Sequence, residues 1–481
     1  MRRWIALAVA AALAATPAAS QQLTALPELG DSSQSALTPQ TEKRIGDMAM
    51  REIRRDPQYV ADPEVNSYLS ALGQRLVSAS AEVRQPFIFF ALRDPTINAF
   101  AIPGGVIGIH TGLILAAQNE SELASVLAHE ISHVTQRHMA RQVAAQQQVQ
   151  PLVLLALALG ILAARSNPQA AQAAIVGGQA GVVQTFLNYS RDFEREADRV
   201  GFQVLQGAGF DPAGMPAFFE RLQRANRLYE NNAPDYLRTH PLTSERIADM
   251  QGRAYSAPYK QLPNSLDFLL VRAKLRAETG TPEEAVDSIA GLLRDGRYSD
   301  AASTRYAYAR ALLRANNPKA AAAELAQLRK LDLHHPMIEN LDGEIRAASG
   351  DLDGARTLYA RALKEYPGNL GLAYGYVETL QKLGRNAEAI EVLEDLIPAN
   401  RNDAGLWNLE AKSYGALGKR VGQHRALAEV YYLQGGLTAA IEQLNLARAA
   451  SDGDFYTLSN VDARLRELRA EQAEEAKEKK R

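Results

Sequence analysis

Residues 119–135 read NESELASVLAHEISHVT. Within them His129-Glu130-Ile131-Ser132-His133 is an HExxH pattern. Four residues of α-helix turn the chain by about 400°, so the two imidazoles point the same way, one turn apart. That spacing lets two histidine nitrogens reach one zinc ion, and Glu130 beside them can hold the attacking water as general base. A core helix carrying two histidines would show the same five letters. The neighbours argue for the metal. Leu123, Val126, Leu127, Ile131 and Val134 make this helix apolar, and burying two imidazoles and a carboxylate there without a partner is costly. Asn119 with Glu122 resembles a capping box that starts the helix, which is expected to run past Arg141.

A catalytic zinc takes a third protein ligand and keeps one position open. Residues 190–198, SRDFEREAD, offer it. Glu194 and Asp198 are four apart and share a helix face, whereas Glu196 points about 200° away from Glu194. Glu194 is therefore the expected ligand and Asp198 the group that orients a histidine. Taken alone, the same stretch also fits an exposed charged helix held by salt bridges. Two histidines and one glutamate with an open position favour zinc, one ion per chain. His138 falls about 140° beyond His133 on a continuous helix and is expected off the site. His110 reads as a strand-end or turn residue, and His334, His335 and His424 as surface groups.

At 481 residues the chain is long enough for two or three domains, and its formal net charge of −2 gives no sign of nucleic-acid binding. Arg2 and Arg3 precede the apolar run 4–15, and small residues follow to Ser20. This reads as a cleaved export signal at 1–20, with an uncleaved anchor as the alternative. The absence of cysteine excludes disulfides, a cysteine nucleophile and a lipidated cysteine, and is compatible with an oxidising periplasm. A flexible lead-in is expected from 21 to about 36. Helices are expected from Thr38-Pro39 through Arg54 and over 63–79, and strands at 86–92, 97–102 and 106–110. The apolar stretch 151–164 is too short to span a bilayer; it reads as a buried hairpin helix or an interfacial segment touching the membrane. Helix is expected to continue over 170–198.

From Ser265 onward a small residue recurs with a fixed partner five positions later. Gly280 pairs with Ala285, Ala315 with Ala320, Gly350 with Ala355 and Gly384 with Ala389. Gly418 continues the series, and Gln423 breaks the alanine position of the last copy. A step near 34 residues is the period of tetratricopeptide helix pairs. Each pair needs a small residue at its turn and an alanine where two helices pack closely. The resulting fold class is α+β, mainly α. A zincin-like metalloprotease domain with a small edge-stranded sheet occupies 21–256 and an all-α repeat solenoid 257–468. A charged tail, 469–481, is expected to be a solvated or frayed end.

HExxH followed by Glu194-x-x-Ala197-Asp198 resembles the M48 metallopeptidases. The likeness extends to Asn98-Ala99-Phe100-Ala101-Ile102-Pro103-Gly104-Gly105, to Gly209-Phe210-Asp211-Pro212, and to Thr239-His240-Pro241 followed by Arg246. A signal peptide and carboxy-terminal repeats make the chain similar to the periplasmic branch of that family. The resemblance implies a zinc metalloendopeptidase with Glu194 as third ligand. It makes Asn98, Ala99, Phe100 and Ala101 part of an edge strand on which substrate lies extended. It makes His240 a regulatory residue that occupies the fourth zinc position. Arg246 and a displaced His240 are both candidates for stabilising the oxyanion. Implied partners are unfolded or misassembled outer-membrane proteins and, through the repeats, the barrel-assembly machinery. A chaperone or assembly factor with proteolysis held in reserve is the alternative reading.

Overall fold

A computed structural model describes residues 37–81, 83, 85–145, 191–228, 235–258, 260 and 262–478. The expected signal peptide, lead-in and apolar stretch 151–164 lie outside these residues, as does 170–190 of the expected long helix.

Helix α1, Pro39–Ile53, starts at Thr38, whose side chain accepts from the Thr41 N–H. Helix α2, Pro63–Ser78, is capped in the same way by Asp62. Both carry proline in the first turn, where a missing N–H costs nothing. A three-stranded sheet follows: β1 (Ile88–Leu92), β2 (Ala99–Ile102) and β3 (Val106–His110). The spatial order is β1-β3-β2, with β3 parallel to β1 and antiparallel to β2. β2 is thus an edge strand.

A short helix, α3 (Thr111–Ala116), leads into α4 (Glu120–Thr135). Asn119 caps α4 from its side chain, but Glu122 reaches back to the Gln118 N–H rather than to Asn119. The helix stops at Thr135 instead of passing Arg141. Arg137 turns into the left-handed region at φ 53° and a separate helix, α5 (His138–Ala145), begins. Neither glycine nor proline marks that break.

Helices α6 (Arg191–Gly207), α7 (Gly214–Leu228), α8 (Asp235–Thr239) and α9 (Ser244–Ser256) complete the first domain. α6 lies against α4 at Gly201, where an added Cβ would sit 3.1 Å from the His129 backbone nitrogen. Glycine therefore sets how near the acidic face of α6 comes to the HExxH helix.

Twelve α-helices follow among the described residues, in antiparallel succession: α10 (Leu266–Ala277), α11 (Pro282–Arg294), α12 (Ala301–Arg314), α13 (Pro318–Arg329), α14 (Pro336–Ala348), α15 (Leu352–Glu365), α16 (Leu370–Lys382), α17 (Asn386–Leu396), α18 (Ala404–Ala416), α19 (Arg420–Leu433), α20 (Leu437–Ala449) and α21 (Phe455–Glu478). Gly280, Gly350, Gly384 and Gly418 have positive φ at the turns within pairs. In the second pair the expected register is one residue off. Asn316, not Ala315, takes the left-handed conformation, and Ala321, not Ala320, is fully buried. Asparagine tolerates that conformation, so the turn needed no small residue. His335 is buried, capping α14 and bonding Asp267, rather than lying at the surface.

Several contacts fasten the solenoid to the first domain, among them Ser265 with Glu120 and Arg272 with the Ala117 carbonyl. Lys274 of α10 reaches Asp62 and Glu64 at the start of α2, each at 2.5 Å. Asn340 of α14 donates to Glu64, Tyr359 donates to Asn340, and Arg310 pairs with Glu344 nearby. At the far end Arg51 of α1 donates to the Tyr432 hydroxyl at 2.8 Å and to Glu471 at 2.7 Å. The guanidinium groups of Arg51 and Arg464 both lie over the Tyr432 ring. The expected tail boundary at 468 therefore falls inside α21, and the tail's Glu471 is a contact with the first domain.

Candidate metal centre

α4 presents His129 and His133 one turn apart, with their Nε2 atoms 3.0 Å from each other. α6 brings Glu194 to the same point: its carboxylate lies 3.5 Å from His129 Nε2 and 3.4 Å from His133 Nε2. The loop after α8 delivers His240, whose Nδ1 is 3.0 Å from Glu194 Oε1 and 3.3 Å from His129 Nε2. All four side chains are buried, and one donor atom from each lies within 4.8 Å of the others. This is the only such group among the described residues.

Glu130 sits beside the cluster, wholly buried, with both carboxylate oxygens lacking a hydrogen-bond partner. His240 Nε2 stands 3.5 Å from one of them. Burying such a carboxylate unanswered costs free energy unless a cation or a water-bearing ligand joins it. The donor set of two imidazoles, a carboxylate and a further imidazole fits a divalent transition metal with nitrogen and oxygen preference.

Further residues fix the donors. Asp198 Oδ1 lies 3.0 Å from His129 Nδ1, the nitrogen that faces away from the cluster. Arg246 binds Asp198 with two nitrogens, at 2.7 and 2.8 Å. Its third reaches Glu194 at 2.7 Å and donates to the Pro241 carbonyl. Arg246, one of two candidates read from sequence for stabilising an oxyanion, is thus bonded to two carboxylates and a carbonyl. Its buried guanidinium ties together Asp198, Glu194 and the Pro241 carbonyl of the His240 loop.

His138 is not among the donors of the cluster, yet it lies next to one of them. Because the chain breaks at Arg137, its ring swings back behind His133, with Nδ1 2.9 Å from His133 Nδ1. Glu196 meets its other nitrogen at 3.2 Å and is held by Arg141 at 2.8 Å. Tyr236, not singled out from sequence, is also buried here. Its ring stacks on His240 at 4.6 Å, and its N–H donates to the Ile97 carbonyl just before β2.

The electrostatics follow from burial and carboxylates. Burial resists charging His129, yet its hydrogen bonds to Asp198 and Glu194 push it up to about 10. Burial carries His133 down to about 3, reinforced by charge on His129. Burial also opposes ionising Glu194, but His240 and the two α4 histidines hold it well below its usual value. Glu130 is pushed up by burial. Of the two imidazoles, His129 has Asp198 behind it and His133 does not, so carboxylate bonding prevails at the first and burial at the second.

Ala99, Phe100 and Ala101 run along β2, with Asn98 immediately before it, and the strand packs beside α4 at the sheet edge. The Asn98 carbonyl accepts from the His110 N–H, and Phe100 pairs across to Gly108. The backbone groups of Ala99 and Ala101 consequently face the other way, and among the described residues no strand pairs with them. His110 ends β3, bonded to Thr96 at 2.8 Å, away from the cluster.

Comparison with known proteins agrees with this architecture. The model of peptidase family M48 matches residues 63–254, which include every donor in the cluster. Tetratricopeptide models match 306–369 and 346–413. The β-barrel assembly-enhancing protease of Escherichia coli K12 is 36% identical over 459 residues, covering 94% of this chain and 93% of its own. This chain belongs to the β-barrel assembly-enhancing protease family. A putative member from Vibrio cholerae is 35% identical over 449 residues, covering 92% of each chain. The mitochondrial metalloendopeptidase OMA1 of Schizosaccharomyces pombe is 29% identical over 219 residues, covering 44% of this chain and 60% of its own. As a member of the β-barrel assembly-enhancing protease family, the chain is a metallopeptidase joined to tetratricopeptide repeats. No helix among the described residues is long and apolar enough to cross a membrane.

Proposed function

We propose that this protein is a periplasmic zinc endopeptidase that degrades misfolded or stalled outer-membrane β-barrel proteins. The observation that carries the reading is the meeting of His129, His133 and Glu194 beside the unanswered carboxylate of Glu130. The reading takes 1–20 as a cleaved signal peptide, 21–256 as the protease domain and 257–468 as the repeats.

In this reading His129, His133 and Glu194 hold one zinc ion. Bound there, the ion supplies Lewis-acid polarisation of the scissile carbonyl and acidifies the attacking water. Glu130 takes a proton from that water and passes it to the leaving amine. Asp198 keeps His129 in the tautomer whose Nε2 is a donor, and Arg246 holds Asp198 and Glu194 in place. An unfolded client lies extended along β2 and pairs with Ala99 and Ala101. The repeats supply surface for clients or for the barrel-assembly machinery, and 151–164 is a candidate membrane contact.

A second reading, assembly factor with proteolysis in reserve, draws support from His240. Its ring already contacts Glu194, His129 and Glu130. An imidazole there competes with the water for the open metal position.

Purified protein should hold about one zinc per chain and cleave an unfolded outer-membrane β-barrel protein. Glu130→Gln should retain the zinc and lose the cleavage. His240→Ala should retain the zinc and cleave faster. A chain that binds no zinc sinks the first reading; a slower His240→Ala enzyme at unchanged zinc sinks the gating role.

A further inference from the structure

His138 belongs to the chemistry although no catalytic motif contains it. The argument rests on the zinc reading above and on three contacts. His133 turns Nε2 to the donor cluster, 3.0 Å from His129 Nε2 and 3.4 Å from Glu194. A neutral imidazole that gives its Nε2 lone pair to a metal carries its proton on Nδ1. That proton points at His138 Nδ1, 2.9 Å away. His138 accepts there, so its own proton sits on Nε2 and is donated to Glu196 Oε2 at 3.2 Å. Arg141 then secures Glu196 at 2.8 Å. Each bond in the series fixes the direction of the next.

The geometry points to a positioning relay, Arg141–Glu196–His138, that sets the tautomer and ring angle of the zinc ligand His133. It is the counterpart of Arg246–Asp198 behind His129, lengthened by one imidazole. The ring of His138 is itself held, fully buried and stacked on Phe193 at 4.7 Å with 13° between planes. The Arg141 guanidinium covers the same Phe193 ring. Phe193 adjoins Glu194 in the chain, so the relay packs against the backbone that carries the third ligand.

The sharp turn at Arg137 makes this possible. On an uninterrupted helix His138 would face elsewhere; the left-handed residue at 137 returns it behind His133. Arg137 is anchored in turn by its bonds to the Leu37 carbonyl and Glu42 of α1.

The test uses full-length protein and measures zinc affinity by chelator competition, beside kcat and KM. His138→Ala and Glu196→Ala should each weaken zinc binding about 10–100-fold, the usual cost of losing the group behind a ligand. The double variant should bind no worse than His138→Ala alone, because both act through one path. His138→Gln keeps an acceptor and a donor on one amide and should recover most of the loss. His138→Ala binding zinc within about twofold of wild type, against the tenfold floor expected for such a group, overturns the relay. So does a double variant that loses the product of both singles. If His138→Ala fails to fold, the partly exposed Glu196 carries the test. A wild-type chain without zinc would instead defeat the underlying zinc assignment, so the two failures are distinct.

Discussion

The junction around Lys274 and the centre around Glu130 are both buried, both charged, and both built from distant parts of the chain. At the junction every polar atom is answered. Lys274 has two carboxylates, Glu64 has a lysine and an amide, and no side-chain nitrogen or oxygen of Asp62, Glu64, Lys274, Asn340 or Tyr359 is left without a partner. At the centre three carboxylates and three imidazoles converge with one arginine, and both Glu130 oxygens are orphaned. The network that joins the two domains is closed, whereas the centre keeps a buried carboxylate that no protein hydrogen bond satisfies. Burial and charge alone do not separate structure from function here, whereas the balance of donors and acceptors does.

The contrast predicts opposite consequences for single changes. Glu130→Gln should lower kcat about 10²–10⁴-fold, the contribution of a general base, without lowering the thermal unfolding midpoint. A matching fall in stability would mean that Glu130 is structural. Lys274→Met should do the reverse. Removing one partner of a buried ion pair costs about 3–5 kcal/mol, because Glu64 and Asp62 are left buried with each other. Denaturant unfolding should register that loss while zinc content stays unchanged. If zinc is lost as well, the junction and the centre are one network rather than two.

Much of this contrast could be read from sequence, for identifiable reasons. His129, Glu130, His133, Glu194 and Asp198 were legible because helical spacing fixes which side chains share a face. Pro39, Pro63 and their capping residues announced helix starts. What escaped depended on the break at Arg137, a residue with no local signal for positive φ. That single dihedral moved His138 from a remote face to the back of His133. Arg246 was legible as a site residue, whereas its bonds to Asp198, Glu194 and the Pro241 carbonyl are visible only in the folded arrangement. The junction escaped altogether, because Lys274 and Glu64 are far apart in the chain and follow no period.

The repeats offer a smaller, sharper test. Ala321→Leu should cost about 1–3 kcal/mol by overpacking, whereas the neighbouring Ala320→Leu should stay within about 0.5 kcal/mol. Equal effects in thermal unfolding would return the register to the one read from sequence. The smallest expected effect is at Asp267, held below its usual value by its hydrogen bond to His335. A depressed folded pKa adds stability that is present above the unfolded value near ~3.9 and is lost as pH falls through the folded one. Asp267→Asn should remove that acid-side component. The side chain is 62% exposed, so screening keeps the change below about 1 kcal/mol. Stability measured at neutral and acid pH should therefore differ less in the variant than in wild type.

The hydrogen bond from the Tyr236 N–H to the Ile97 carbonyl gives the edge strand a fixed origin. Ile97 directly precedes Asn98, whose carbonyl is turned toward β3, so the alternation of the strand aims the Ile97 carbonyl at the outer side. The element that carries His240 has thus taken the first rung of the ladder on which a client would climb. On the proposed reading of the edge, a short extended segment would find only the rungs at Ala99 and Ala101 and would leave the histidine seated. A longer one must compete with Tyr236 for the same carbonyl, and Tyr236 is stacked on that histidine. If clients pair with this edge as proposed, their extended length, more than the identity of their side chains, would decide whether the histidine is displaced.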